Sequence, residues 1–153
     1  MRKQNLIMIP EEKIINKIHL IRGQKVMIDY DLAELYRVET KQLKRAVKRN
    51  MERFPHDFMF ELTLEELQNL RSQTGTSSWG GVRHSPMVFT EQGVAMLSSI
   101  LSSQQAISVN IQIIRVYTKM RELLLTYLLQ ASCRLLITYP LKVSSSNPLS
   151  LQS

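Results

Sequence analysis

The stretch DLAELYRVETKQLKRAVKRN, residues 31–50, most constrains what this chain can fold into, because it reads as two short helices joined by a tight turn. In the first helix Leu32, Leu35 and Tyr36 recur at helical spacing, and Ala33 is small enough to let the next helix cross closely. Val38 fills the turn. The second helix, from about Thr40, places Leu43, Ala46, Val47 and Asn50 on one side at i, i+3, i+4 and i+7. At about 100° per residue, Lys41, Arg45 and Lys48 fall directly opposite Leu43, with Gln42, Lys44 and Arg49 on the flanks. One face is core and the other is cationic, the pattern of a helix-turn-helix.

The charge is concentrated there. Between Arg37 and Arg53 seven basic residues stand against two acidic ones, an excess of +5 in a chain whose net charge is +7. With a pI near 9.8, such a surface attracts polyanions: DNA, RNA or anionic membrane. The single Cys133 excludes an internal disulfide framework and a cysteine zinc site, and His19, His56 and His84 lack ligand spacing, so no metal or cofactor is expected. A reducing cytoplasm is the natural setting. The longest apolar stretch, residues 123–137, is interrupted by Thr126, Gln130, Ser132 and Arg134 and is too short to span a bilayer.

The remaining elements follow in order. A hairpin of two short strands is expected around Arg22-Gly23-Gln24, with Asp29 or Asp31 capping the first helix of the opening stretch. Phe54-Pro55 ends the second helix, and residues 58–62 suit a strand. Thr63 followed by Glu66 is a capping box for a helix over about 64–70, and RSQTGTSSWGGVRHSP reads as a loop or hairpin tip. Residues 87–89 form a strand leading to Thr90, the N-cap of a helix to about Leu101. After Ser102-Ser103 a helix over about 104–125 shows two apolar stripes: Ile107, Ile111 and Ile114 on one, Ala106, Val109, Ile113 and Met120 on the other. Two stripes call for two partners, the domain and another helix or subunit, so a homo-oligomer is expected. Past Glu122 no acidic residue follows, and residues 123–136 extend the helix only if something covers them. The last dozen residues are expected to be disordered.

The strings IRGQKVMIDYDLAELYRVETKQLKRAVKRN, MERFPHDFMFELTLEE, LRSQTGTSSWGGVRHSPMVFTEQGVAMLSSIL and AISVNIQIIRVYTKMRELL together resemble the ORF6N domain, a relative of the KilA-N DNA-binding domain. The resemblance covers about residues 14–125. It implies a small α+β helix-turn-helix DNA-binding domain with short strands, followed here by a long C-terminal helix. It divides the chain into an N-terminal arm (1–13), the ORF6N-like domain (14–125) and a low-charge, partly disordered tail (126–153). Two departures stand out. Relatives commonly read YGV at the turn where this chain has Tyr36-Arg37-Val38, and a left-handed backbone at a non-glycine residue costs about 1 kcal/mol. Relatives also continue past RELL into a charged helical segment, so the low-charge tail, whose only charged residues are Arg134 and Lys142, resembles a shifted reading frame. Translation of the other two frames without a charged continuation would sink that hypothesis.

The cationic face is the candidate site, against the plain alternative of a solvated helix face. Lys41, Lys44, Arg45, Lys48 and Arg49 are expected to meet DNA; Thr40, Lys41, Gln42 and Arg45 lie where a recognition helix reaches base edges, while Lys48 and Arg49 suit phosphate. Arg83, in the glycine-bearing loop, belongs to a wing over phosphate or in the minor groove, unless that loop is only a surface connection. Trp79 either stacks on a base or anchors the loop. No enzyme is indicated: His56-Asp57 and His84-Ser85 lack a third triad member, and Glu11-Glu12 and Glu65-Glu66 read as helix-start charges. The expected function is a prophage or mobile-element transcriptional regulator reading double-stranded DNA in the major groove, with no membrane and no small-molecule substrate. The alternative is a protein-interaction or oligomerisation module acting through the helix at 104–125. RNA is disfavoured, because no aromatic cluster for base stacking is visible.

Overall fold

Arg22 and Gly23, both with positive φ, form the two-residue turn that reverses the chain between β1 (Ile18–Ile21) and β2 (Gln24–Ile28). Left-handed geometry at both turn positions matches the twist of the flanking strands. The strain at Arg22 is offset by its side chain, which lies 4.3 Å over the Phe60 ring and forks onto Glu66 at 2.6 and 3.0 Å. That guanidinium holds the Glu66 carboxyl down at about 2.

The structure is a computed structural model and describes residues 7–75 and 84–138. Around the hairpin are α1 (Glu11–Ile15), α2 (Asp29–Tyr36), α3 (Thr40–Arg49), a short 3-10 turn (Met51–Arg53), β3 (Met59–Glu61), α4 (Leu64–Thr74), β4 (Met87–Phe89), α5 (Glu91–Leu97) and α6 (Gln104–Thr138). The fold class is α+β. Its sheet runs β1-β2-β4-β3 with every pair antiparallel.

The central strands carry unbroken apolar runs, Val26-Met27-Ile28 and Met87-Val88-Phe89, all buried. Such runs belong to strands covered on both faces. On one face Val26, Ile28 and Val88 join Ile21, Phe60 and Leu62 under Leu67 and Leu70 of α4. Alternation turns Met27, Met87 and Phe89 to the other face, and α2 and α5 pack on β2 and β4. From α6, Ala106, Val109, Ile113, Val116 and Tyr117 are buried. The Tyr36 hydroxyl donates to Asn110 Oδ1, and burial pushes its pKa far above the ordinary value, so it remains a donor. Gln112 pins the segment before α1, accepting from Ile9 N at 2.8 Å and donating to Ile7 O at 2.9 Å.

The chain divides into two compact units, Met1–Thr118 and Lys119–Ser153. Among the described residues the second consists of the distal part of α6. No helix among the described residues is long and apolar enough to cross a membrane.

Several elements differ from their sequence expectations. Helix α4 runs four residues past Leu70, so Arg71–Thr74 of the expected loop are helical; the stop is Gly75, whose φ of 65° places it in the left-handed cap position. Helix α5 stops at Leu97, because the Ser98 and Ser99 hydroxyls turn back onto Ala95 O and Met96 O at 2.6 and 2.7 Å and compete with the helical ladder. Helix α6 continues through Thr138. Neither Asp29 nor Asp31 caps α2: its N-cap is Ile28, and both carboxylates turn into internal ion pairs. Val38, expected to fill the turn, is only half-buried there. The expected disorder of the final dozen residues falls outside the described residues, as do Trp79 and Arg83.

Candidate nucleic-acid interface

The turn before α3 is set by Arg37, which adopts φ 57° and ψ 44°. Val38 N bonds Ala33 O at 3.0 Å and Arg37 N bonds Glu34 O at 3.1 Å, the paired bonds of a Schellman motif that stops α2 and redirects the chain. Helix α3 then buries Leu43 and Val47 completely, half-buries Ala46 and Asn50, and leaves Lys41, Gln42, Arg45, Lys48 and Arg49 exposed. The N-cap residue Glu39 makes no side-chain cap bond, so among the described residues the N–H groups of Thr40, Lys41 and Gln42 stay open to an anion.

Asp29, 2% exposed, fixes this helix to the sheet. It lies 3.1 Å from Lys44 Nζ and accepts from Met87 N at 2.9 Å and Tyr30 N at 2.7 Å. Lys44 also donates to Ser85 O at 3.1 Å. A charge this deep is tolerable only because every carboxylate oxygen is used. Sequence spacing gave no sign of the pair, since Asp29 and Lys44 sit on different helices.

Beside α3 lies an open groove of about 960 Å³. One wall is Thr40, Lys41, Lys44, Arg45, Lys48 and Arg49, a single stripe along the helix. The other is Glu61 at the end of edge strand β3 together with His84, Ser85 and Met87 leading into β4. Of the candidate residues the groove thus collects six. Gln42 is exposed but lies outside it, and Arg83 is outside the described residues. Lys44 differs from its neighbours, being half-buried and neutralised by Asp29. His84 and Ser85 belong to the loop read as a wing beside the basic helix, whereas Glu61 was not foreseen as a groove residue. Only the register Glu61↔Met87 brings it opposite α3, and no local pattern encodes that pairing.

The sequence model of the ORF6N domain matches residues 16–100, more than half of the chain. The chain belongs to the ORF6N domain family. Among curated proteins and solved structures nothing matches it significantly. Two of the strings that carry the ORF6N resemblance, RFPHDFMF and FTEQGVAMLSS, pack against each other. Phe54 meets Phe89 edge-to-face at 5.9 Å, and Thr90 Oγ1 donates to Asp57 O at 2.9 Å while capping Gly93. A Cβ on Gly93 would lie 2.1 Å from Phe58 O, so only glycine lets α5 approach that loop. These residues hold β3 and β4 together, and with them the wall of the groove opposite α3. Helix α6 lies beyond the matched span.

Proposed function

We propose that this ORF6N domain binds double-stranded DNA, with α3 entering the major groove and its cations holding phosphate, and that it serves a prophage or mobile element as a cytoplasmic transcriptional regulator rather than an enzyme. The observation that carries the binding reading is the groove beside α3. Lys41, Arg45, Lys48 and Arg49 converge on it from one helix whose opposite face is locked in the core. Phosphate contacts supply affinity, and an uncapped helix start adds N–H donors. The regulatory role draws its support from the family alone.

Titrations on several duplexes at two salt concentrations test the binding. Neutralising Lys48 or Arg49 is expected to weaken all DNA alike and lower the salt slope by about one unit, whereas altering Gln42 or Arg45 changes sequence preference. Equal losses with an unchanged slope would overturn the assignment of Lys48 and Arg49 to phosphate.

A second reading, self-association through α6, is favoured by its exposed leucines. Leu123, Leu124, Leu125, Tyr127, Leu128, Leu129 and Leu135 are each between 53% and 69% exposed. Residues 123–133 carry no charge, so identical copies meet there without like-charge cost. A second copy of the chain is the occupant this pattern fits, which would give two DNA-reading helices per assembly. Light scattering on the full chain tests it, and a monomer at every concentration would refute it.

A further inference from the structure

Glu61 is an exposed carboxylate facing a groove whose opposite wall carries Lys41, Lys44, Arg45, Lys48 and Arg49. Its backbone is fixed: Met59 and Phe60 before it are buried, Leu62 N after it bonds Pro86 O at 3.0 Å, and its register partner is Met87. Its side chain has no ion-pair partner among the described residues, although Lys41, Lys44, Arg45, Lys48 and Arg49 line the same groove. The two walls therefore present opposite preferences. A phosphate is attracted to the α3 wall and repelled from the β3 wall, because an ionised carboxylate is an acceptor with no proton to give.

What the β3 wall accepts is an N–H donor. On the base edges of the major groove the donors are the amino groups of cytosine and adenine. Adenine N6 sits beside the N7 acceptor, whose lone pair opposes a carboxylate, whereas cytosine N4 has only a carbon-bound hydrogen next to it. We propose that Glu61 is a specificity-determining residue, accepting from a cytosine amino group while Lys48 and Arg49 of α3 hold the backbone. The inference rests on the DNA-binding reading above.

The test uses the full chain as wild type, Glu61→Gln and Glu61→Ala, with a duplex chosen by selection from a random pool and variants replacing each base pair in turn. Thermal melts confirm that these exposed-site variants remain folded. Wild type is expected to lose on the order of tenfold in affinity when one particular cytosine is replaced. Glu61→Ala removes that preference, and Glu61→Gln moves it towards adenine, which an amide can bond at N6 and N7 together. Both variants bind random-sequence DNA more tightly than wild type, since a repulsive charge has left the groove. The same base preference in all three proteins would overturn the cytosine contact, and unchanged random-sequence affinity would overturn the placement of Glu61 beside the DNA. If wild type binds no duplex at low salt, the DNA reading itself falls and this inference with it.

Discussion

Helix α3 and the distal part of α6 each carry a face that the described residues leave uncovered, and the two faces are opposite in kind. On α3 that face is cationic, its reverse is sealed by Leu43 and Val47, and Lys44 fastens it to buried Asp29. On α6 it is leucine-rich and uncharged from residue 123 to residue 133. A charged face is well solvated when empty, so it can stand preformed and wait for a ligand. An exposed leucine forgoes about 1.5–3 kcal/mol of burial, so a leucine face marks association as its relaxed state. The contrast separates a surface that binds from one that assembles.

The largest expected effect breaks the α6 side of this contrast. Replacing Leu124 and Leu128 with Lys together removes four leucines from a twofold pairing, about 3–6 kcal/mol, because each is already half-covered before pairing. The protein is expected to become monomeric by light scattering while the unfolding of the first compact unit keeps its midpoint. If the variant and wild type scatter alike, α6 is not the assembling surface.

The matching change beneath α3 strikes the fold instead. Asp29→Ala leaves Lys44 as an uncompensated charge in a half-buried site and strips an acceptor from Met87 N, so a loss of about 3–5 kcal/mol is expected in chemical denaturation. Substituting exposed Lys48 is expected to leave the midpoint unchanged. Equal stability losses at Asp29 and Lys48 would erase the distinction between the fastened and the open side of α3.

Much of this arrangement was legible in the sequence, and the reasons are local. The hairpin rests on Arg22-Gly23, the α4 start on the Thr63–Glu66 box, the α5 start on Thr90, and the α3 faces on a period of 3.6. The burial of Ala106, Val109 and Ile113 and the exposure of Ile111 follow from the two stripes read on α6. Positions governed by distant partners were not legible. Asp29 looked like a cap because capping is the local use of an aspartate; it stands inside α2 and keeps one local bond, from Tyr30 N, while its other oxygen is taken by Lys44 and Met87 N from distant elements. Glu61 reaches the groove through its pairing with Met87, a residue more than twenty positions away. The run to Thr74 lacks apolar periodicity, yet Gly75 was the available stop signal.

Arg37 tests whether the entry to α3 belongs to the fold or to the ligand. Its left-handed φ of 57° is a position glycine occupies without strain, and no partner of its guanidinium is found among the described residues. Arg37→Gly is expected to stabilise the domain by about 1 kcal/mol. An unchanged salt slope of DNA binding would make the residue a strained turn and nothing more. A slope lowered by about one unit would add Arg37 to the phosphate contacts of α3.

The smallest effect sharpens the contrast between charges spent within the fold and charges left open on α3. Glu66 is ion-paired to Arg22 and also accepts from Thr63 N at 2.8 Å, and its carboxyl is held at about 2, below its ordinary 4.5. A depressed carboxyl contributes stability that is fully present above its unfolded value and is lost as pH falls through the folded one. The thermal midpoint of wild type is therefore expected to fall as pH drops from 4.5 towards 2, and Glu66→Gln to start lower at neutral pH and fall less. Because the pair is partly exposed, added salt should narrow the gap between the two proteins. Parallel acid profiles would mean that the capping bonds, which glutamine can keep, outweigh the ion pair, and that Arg22 holds the hairpin turn mainly by its stacking on Phe60.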